Sequence, residues 1–165
     1  YWNISEIYCY DPGYSPYQKL PRKQYDAVIL TDVLEHCYQE DVKWILAEIF
    51  GLTRKFVFAN IACYQARQIL PNGENAHCTI RPAAWWESIL HLVASDYPEV
   101  KYCVWVEFVW TDIKGEGSVF QKLSNYNFSE TELDSPSITI LEANGNLVPY
   151  VPYNVHVDSK WILYR

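Results

Sequence analysis

Two carboxylates stand where apolar runs end. Asp11 follows SEIYCY, and Asp32 follows AVILT. Glu35 and His36 come just behind the second of them. A carboxylate at the carboxyl end of a buried strand can accept paired hydrogen bonds from vicinal ribose hydroxyls, in a crevice where water competes poorly. A histidine beside it can take a proton or orient a substrate near neutral pH. Each residue also has a plainer role open to it. Asp11 before Pro12-Gly13 is a natural turn cap. Asp32 before a helix is a natural N-cap. His36 can be a solvated helix-surface histidine. His77, in a Gly/Asn loop, is a weaker candidate than His36, and His91 and His156 carry no assigned role.

The elements needed to hold these residues are readable from periodicity. Ser5 to Tyr10 reads as a strand closed by Asp-Pro-Gly, and the Pro-rich stretch 12–24 reads as a loop. Ala27 to Leu30 is a continuous apolar run, as expected of a strand buried on both faces of a parallel sheet. Gln39-Glu40-Asp41 place negative charge at a helix start. Val42, Ile45, Leu46, Ile49 and Phe50 then recur at helical spacing up to Gly51, read as the helix stop. Lys55 to Ile61 is the next buried strand. Strand, helix and strand in that order are the signature of a parallel α/β crossover.

Pro82 suits the first turn of a second helix, with Trp86, Ile89, Leu90 and Val93 as its buried stripe. Tyr102 to Trp110 is the longest strand signal. From Asp112 helical periodicity disappears. Ile138 to Glu142 and Leu147 to Val151 flank Asn144-Gly145-Asn146 as a hairpin, and Lys160 to Tyr164 reads as a closing strand. The expected organisation is an α/β core over 1–111, with 112–165 a β-rich extension of the same domain.

Composition narrows the function. The 165 residues carry a net charge of −7, which argues against a nucleic-acid backbone as partner. Lys19 to Lys23 reads as solvated surface. The Cys count is 5, odd and without a Cys-x-x-Cys pair, so a disulfide framework or zinc cluster is not expected. A reducing, cytoplasmic setting fits, and no apolar run is long enough for a membrane span. The sequon Asn127-Phe128-Ser129 carries little weight without a secretory signal. The six glycines are scattered, with no phosphate-binding loop, and there is no Gly-x-Ser-x-Gly elbow and no histidine pair at metal spacing, so no metal is expected. The chain has no Met and starts at Tyr1, which reads as a processed or N-terminally incomplete chain.

The stretch YDAVILTDVLEH, then an acidic helix start and KFVFANIA, resembles the class I S-adenosylmethionine-dependent methyltransferases. LPNGENAHCTIRPAAWWESIL is similar to a subgroup with a loop and a Trp-bearing helix after the fifth strand. The resemblance covers about residues 5 to 110. It implies a Rossmann-like, mostly parallel sheet with flanking helices and S-adenosylmethionine as cofactor. It matches Asp11 to the ribose-binding carboxylate, with Tyr10 and Pro12 beside the adenosine. Thr31 and Asp32 then border the methionine part. Glu35 and His36 lie near the methyl-transfer site, with His36 as base or orienter and Asp32 as its support.

The family's first strand and glycine-rich loop are absent, so the first strand is expected to be missing or truncated. A gap then opens between the strands ending at Asp11 and Asp32. A second copy of the chain, as a homo-oligomer, is one way to fill it. Three readings follow. One is methyl transfer to a small-molecule acceptor, with Tyr64, Trp85 and Trp86 lining an acceptor pocket or packing the core. Another is a non-catalytic, partner-binding module of the same fold. The last is another nucleotide-binding α/β enzyme such as a sugar-nucleotide transferase, for which no Asp-x-Asp pair is present.

Overall fold

The computed structural model describes residues 6–112, 115–126, 138–141, 147–150 and 160–164, with side chains over 6–111 and 117–126. The sequon at Asn127, the turn Asn144–Asn146 and His156 lie outside the described residues.

The chain runs β1 (Glu6–Tyr10), β2 (Tyr25–Thr31), α1 (Gln39–Gly51), β3 (Thr53–Ala62), α2 (Ala83–Ala94), β4 (Lys101–Asp112), β5 (Gly115–Ser124), β6 (Ile138–Leu141), β7 (Leu147–Tyr150) and β8 (Lys160–Tyr164). Six of these strands form one sheet in the order β1-β8-β2-β3-β4-β5. All neighbours are parallel except β4 and β5. This sheet with its two helices is one compact unit; β6 and β7 pair antiparallel in a second, residues 126–157. The architecture is α/β with a mostly parallel sheet. No helix among the described residues is long and apolar enough to cross a membrane.

The central strands explain the apolar runs. Tyr25 to Leu30 of β2 are all buried, as suits an interior strand with a neighbour on each side. Val28 pairs with Val57 of β3, which pairs with Tyr102 of β4. Onto this surface α1 lays Val42, Leu46, Ile49 and Phe50, and α2 lays Trp86, Leu90 and Val93. Trp86 is fully buried, its indole edge against Trp85 and its Nε1 donating to Cys63 Sγ at 3.1 Å. Trp85 also packs against the core, so both tryptophans hold α2 to the sheet.

Gly51 is the last residue of α1, as read, though without a left-handed turn, and Leu52 leads directly into β3. Thr53 Oγ1 closes that turn on the Ile49 carbonyl at 2.7 Å. Pro82 is the residue before α2 rather than inside its first turn. Gly115–Ser124, read only as part of a β-rich tail, is a full strand paired along β4. Gly117 there is required by close approach, because a Cβ would lie 2.8 Å from the Trp110 ring.

The larger change concerns the gap. The slot between β1 and β2 holds β8 of the same chain, with Ile162 between Tyr8 and Val28. Parallel strands need long connections, so a slot can be filled from anywhere in the chain, and reading in chain order does not reveal the filler. Residues beyond 111 therefore supply an edge strand and an interior strand of the main sheet, not only an addition to it.

Candidate functional site

β2 and β3 run side by side in parallel, so the loops that follow them meet at one rim. Thr31, exposed, ends β2 opposite Asn60. The next residue, Asp32, has φ 54°, the left-handed region that a β-carbon disfavours. Its N–H donates to the Asn60 carbonyl at 3.4 Å and its Oδ1 accepts from Asn60 Nδ2 at 3.5 Å. Asp32 is not an N-cap. The residue before the following 3-10 turn, Leu34–His36, is Val33, and no side chain caps either that turn or α1.

The kink at Asp32 throws the next residues in opposite directions. Leu34 enters the core, Glu35 is buried beneath the rim, and His36 is exposed. Glu35 Oε1 accepts the Ala62 N–H at 3.0 Å, and its own carbonyl accepts the Thr79 N–H at 3.0 Å. Glu35 thus ties the end of β3 and the following loop to its own turn. Glu35 Oε2 is buried with no hydrogen-bond partner among the described residues. Burial pushes the Glu35 carboxyl above its ordinary range, and Asp32 adds to the push. The backbone N–H bond and nearby His36 oppose it.

The loop after β3 brings a second imidazole. Asn75 organises it: Oδ1 accepts the N–H groups of Ala66 at 2.9 Å and His77 at 3.0 Å, and Nδ2 donates to the Ala66 carbonyl at 2.9 Å. Gly73, at φ 87°, allows the turn just before it. His77 then stands edge-on to His36, ring centroids 4.9 Å apart and planes at 80°. His36 Nδ1 bonds the Ala76 carbonyl at 2.8 Å, and His77 Nδ1 bonds the Tyr64 carbonyl. A carbonyl only accepts, so each Nδ1 carries the proton and each neutral ring keeps its lone pair on Nε2. The Tyr64 ring lies against His77, and its hydroxyl donates to Glu107 Oε2 at 3.4 Å.

An open groove of about 540 Å³ extends from His77, lined by Tyr38, Gln65, Glu74, Cys78, Ile80 and Arg81 among others. Burial, Glu35 and Asp41 push the Cys37 thiol up to about 11, which disfavours the reactive thiolate.

Asp32, Glu35 and His36 therefore share one rim with His77. Asp11 ends β1, two strands away across β8, on the same side of the sheet because β1, β8 and β2 are parallel. At the usual interstrand spacing that separation is roughly 10 Å. Asp11 Oδ1 accepts the Gly13 N–H at 2.9 Å, the turn-capping bond that Asp-Pro-Gly invites. Pro12 is exposed in that turn, and Tyr10 is half-buried at the end of β1 in register with Tyr164. His91 lies exposed on α2.

Sequence reasoning underrated His77, because nothing local announces that its loop folds back over the β2 end. The available signal was Asn75, a side chain able to satisfy several backbone groups of a loop at once. No family model, curated protein or solved structure matches this chain.

Proposed function

We propose that the protein is a Rossmann-like S-adenosylmethionine-dependent methyltransferase acting on a small-molecule acceptor. The observation that carries this reading is the placement of Asp11 and the Asp32–His36 turn on one sheet rim, at the carboxyl ends of parallel strands on either side of β8. In open α/β sheets that rim is where nucleotide-bearing ligands sit. Asp11 would take the ribose hydroxyls, and Tyr10 and Pro12 would border the adenosine. Thr31 and Asp32 would face the methionine part. The left-handed turn at Asp32 supports this, since strained backbone held in place by surrounding structure concentrates at ligand sites.

With S-adenosylmethionine bound, the chemistry would be an in-line displacement, the acceptor's lone pair forming a bond to the sulfonium methyl carbon as the carbon–sulfur bond breaks and S-adenosylhomocysteine leaves. Most of the acceleration comes from holding the two groups in line and excluding water. The acceptor's proton goes to the lone pair on His36, whose ring is fixed by the Ala76 carbonyl. Glu35 is too deeply buried to face a cofactor freely and supports the turn from below.

A second reading, a binding module of the same fold without catalysis, is favoured by the scattered glycines and by the use of Asp11 as a turn cap. Calorimetric titration with S-adenosylhomocysteine decides the matter. Saturable binding is expected, weakened about tenfold or more by Asp11→Ala or Asp32→Ala, which corresponds to roughly 1.4 kcal/mol. No heat of binding to the folded chain rejects the methyltransferase reading. Binding without methyl transfer to any acceptor in a broad small-molecule screen favours the module.

A further inference from the structure

The paired imidazoles and the buried carboxylate beneath them make a donor set of which the methyl-transfer reading uses only His36. A ring nitrogen of His36, a ring nitrogen of His77 and a carboxylate oxygen of Glu35 all lie within 4.8 Å of one another. We propose that Glu35, His36 and His77 form a binding site for a divalent transition-metal ion of the zinc type.

Three observations carry the assignment. The first is the donor chemistry. Two neutral imidazoles and one carboxylate are a common set for zinc that leaves a coordination position open. The second is the support behind each donor. Both histidines give their Nδ1–H to a backbone carbonyl, of Ala76 and of Tyr64. That arrangement fixes the tautomer with the lone pair on Nε2 and is the usual outer shell of a metal-bound histidine. Glu35 is held in the same manner by the Ala62 N–H on Oε1. The third is the orphaned Oε2 of Glu35, a residue with 0% of its surface exposed. Whether ionised or protonated, a buried carboxyl needs a partner on that oxygen, and a cation bound by Glu35 would supply one.

The fit requires little movement. Zinc bonds to nitrogen and oxygen are about 2.0–2.2 Å, so tetrahedral donors lie about 3.3–3.5 Å apart. Donors already within 4.8 Å reach that spacing by drawing in by about an ångström or a little more. His36 is exposed and His77 borders the open groove, so an ion has a way in and one position facing solvent. That position suits an oxygen-bearing ligand such as water or an acceptor hydroxyl.

The inference does not rest on the methyl-transfer reading, although an ion on His36 would take the lone pair that reading assigns to the base, and its test needs no cofactor. The full chain, stripped with a chelator and dialysed, is titrated with Co²⁺ and followed by visible ligand-field absorption. Zn²⁺ is then added in competition. One equivalent of Co²⁺ is expected, displaced by Zn²⁺ and not by Mg²⁺. His36→Gln and His77→Gln are each expected to weaken binding about 100-fold or more, Glu35→Gln at least about tenfold, and His91→Gln not at all. Absence of saturable binding overturns the assignment, as does binding that the His36→Gln and His77→Gln changes leave intact. If those variants fail to fold, the wild-type thermal midpoint serves instead. It is expected to climb steadily with Zn²⁺ concentration, and an unchanged midpoint rejects the site.

Discussion

Asp26 and Glu35 are two buried carboxylates belonging to opposite ends of the same strand. Asp26, near the amino end of β2, is 6% exposed and fully answered. Arg54 reaches its Oδ1 at 2.8 Å and Lys55 its Oδ2 at 3.5 Å, both from the start of the adjacent β3. Glu35, just past the carboxyl end, is 0% exposed and makes no salt bridge among the described residues. It keeps one backbone N–H and leaves an oxygen without a partner. The same sheet thus closes its electrostatics at one end and leaves them open at the other. Around the open end stand a left-handed aspartate and two imidazoles with free lone pairs. Unpaired groups and strained backbone cost stability, and folds retain them where ligands bind.

If the amino end serves stability, Asp26→Ala should cost the most. The substitution leaves Arg54 and Lys55 without their counter-charge. Both cations are about half exposed, so water replaces much of what is lost. The expected loss is about 1–2 kcal/mol, below the 3–5 kcal/mol of a fully enclosed pair. Urea unfolding should show a lower midpoint at unchanged slope, with ligand binding at the far rim preserved. A loss under about 0.5 kcal/mol would mean that the amino end is no better built than the other.

Asp32→Gly should act in the opposite sense. Glycine accepts φ 54° without a β-carbon clash, so relief of strain offsets its greater chain entropy. Stability should rise by up to about 1 kcal/mol while affinity for S-adenosylhomocysteine falls. A variant that is both more stable and binds equally well would remove Asp32 from the cofactor site. One that is destabilised would show that the long side-chain bond to Asn60 and the added chain entropy matter more than the backbone strain.

The contrast between the ends was only half legible in the sequence. The elements that carry both ends were readable: AVIL for β2, the Val42–Phe50 stripe for α1, KFVFANI for β3, the Trp86 stripe for α2. Short-range periodicity records which face is buried, and that is what placed Asp32 at a strand end. The partners of each carboxylate lie farther off. Asp26 meets Arg54 and Lys55 because the pairing of β2 with β3 shifts by one residue between Tyr25 and Ala27, and pairing between parallel strands leaves no local trace. Glu35 in Asp-Val-Leu-Glu-His reads as a rim residue. It is buried because the kink at Asp32 and a 3-10 turn rotate it inward. His77 reaches His36 only through the Asn75-braced loop. Lys160–Tyr164 was visible as a strand, but its place between β1 and β2 depends on pairings with residues far away in the chain.

The smallest effect, and the most direct probe of the open end, is Glu35→Gln in metal-free protein. Burial raises the Glu35 carboxyl above its unfolded value, so the folded chain holds this proton more tightly than the unfolded chain does. Such a group favours the folded state below the ordinary carboxyl range, and that contribution is lost as pH rises through the raised value. Glutamine keeps an acceptor for the Ala62 N–H and cannot ionise. Wild type should therefore lose stability relative to Glu35→Gln as pH rises from the ordinary carboxyl range through the raised value, and the two curves should then run parallel. Urea midpoints measured across that range with a chelator present read the divergence directly. Curves parallel throughout would mean that Glu35 ionises in the folded chain as readily as in water, and that its buried end is answered after all. Adding Zn²⁺ reverses the order if the metal site exists, because the ion binds the carboxylate and Gln is a poorer ligand.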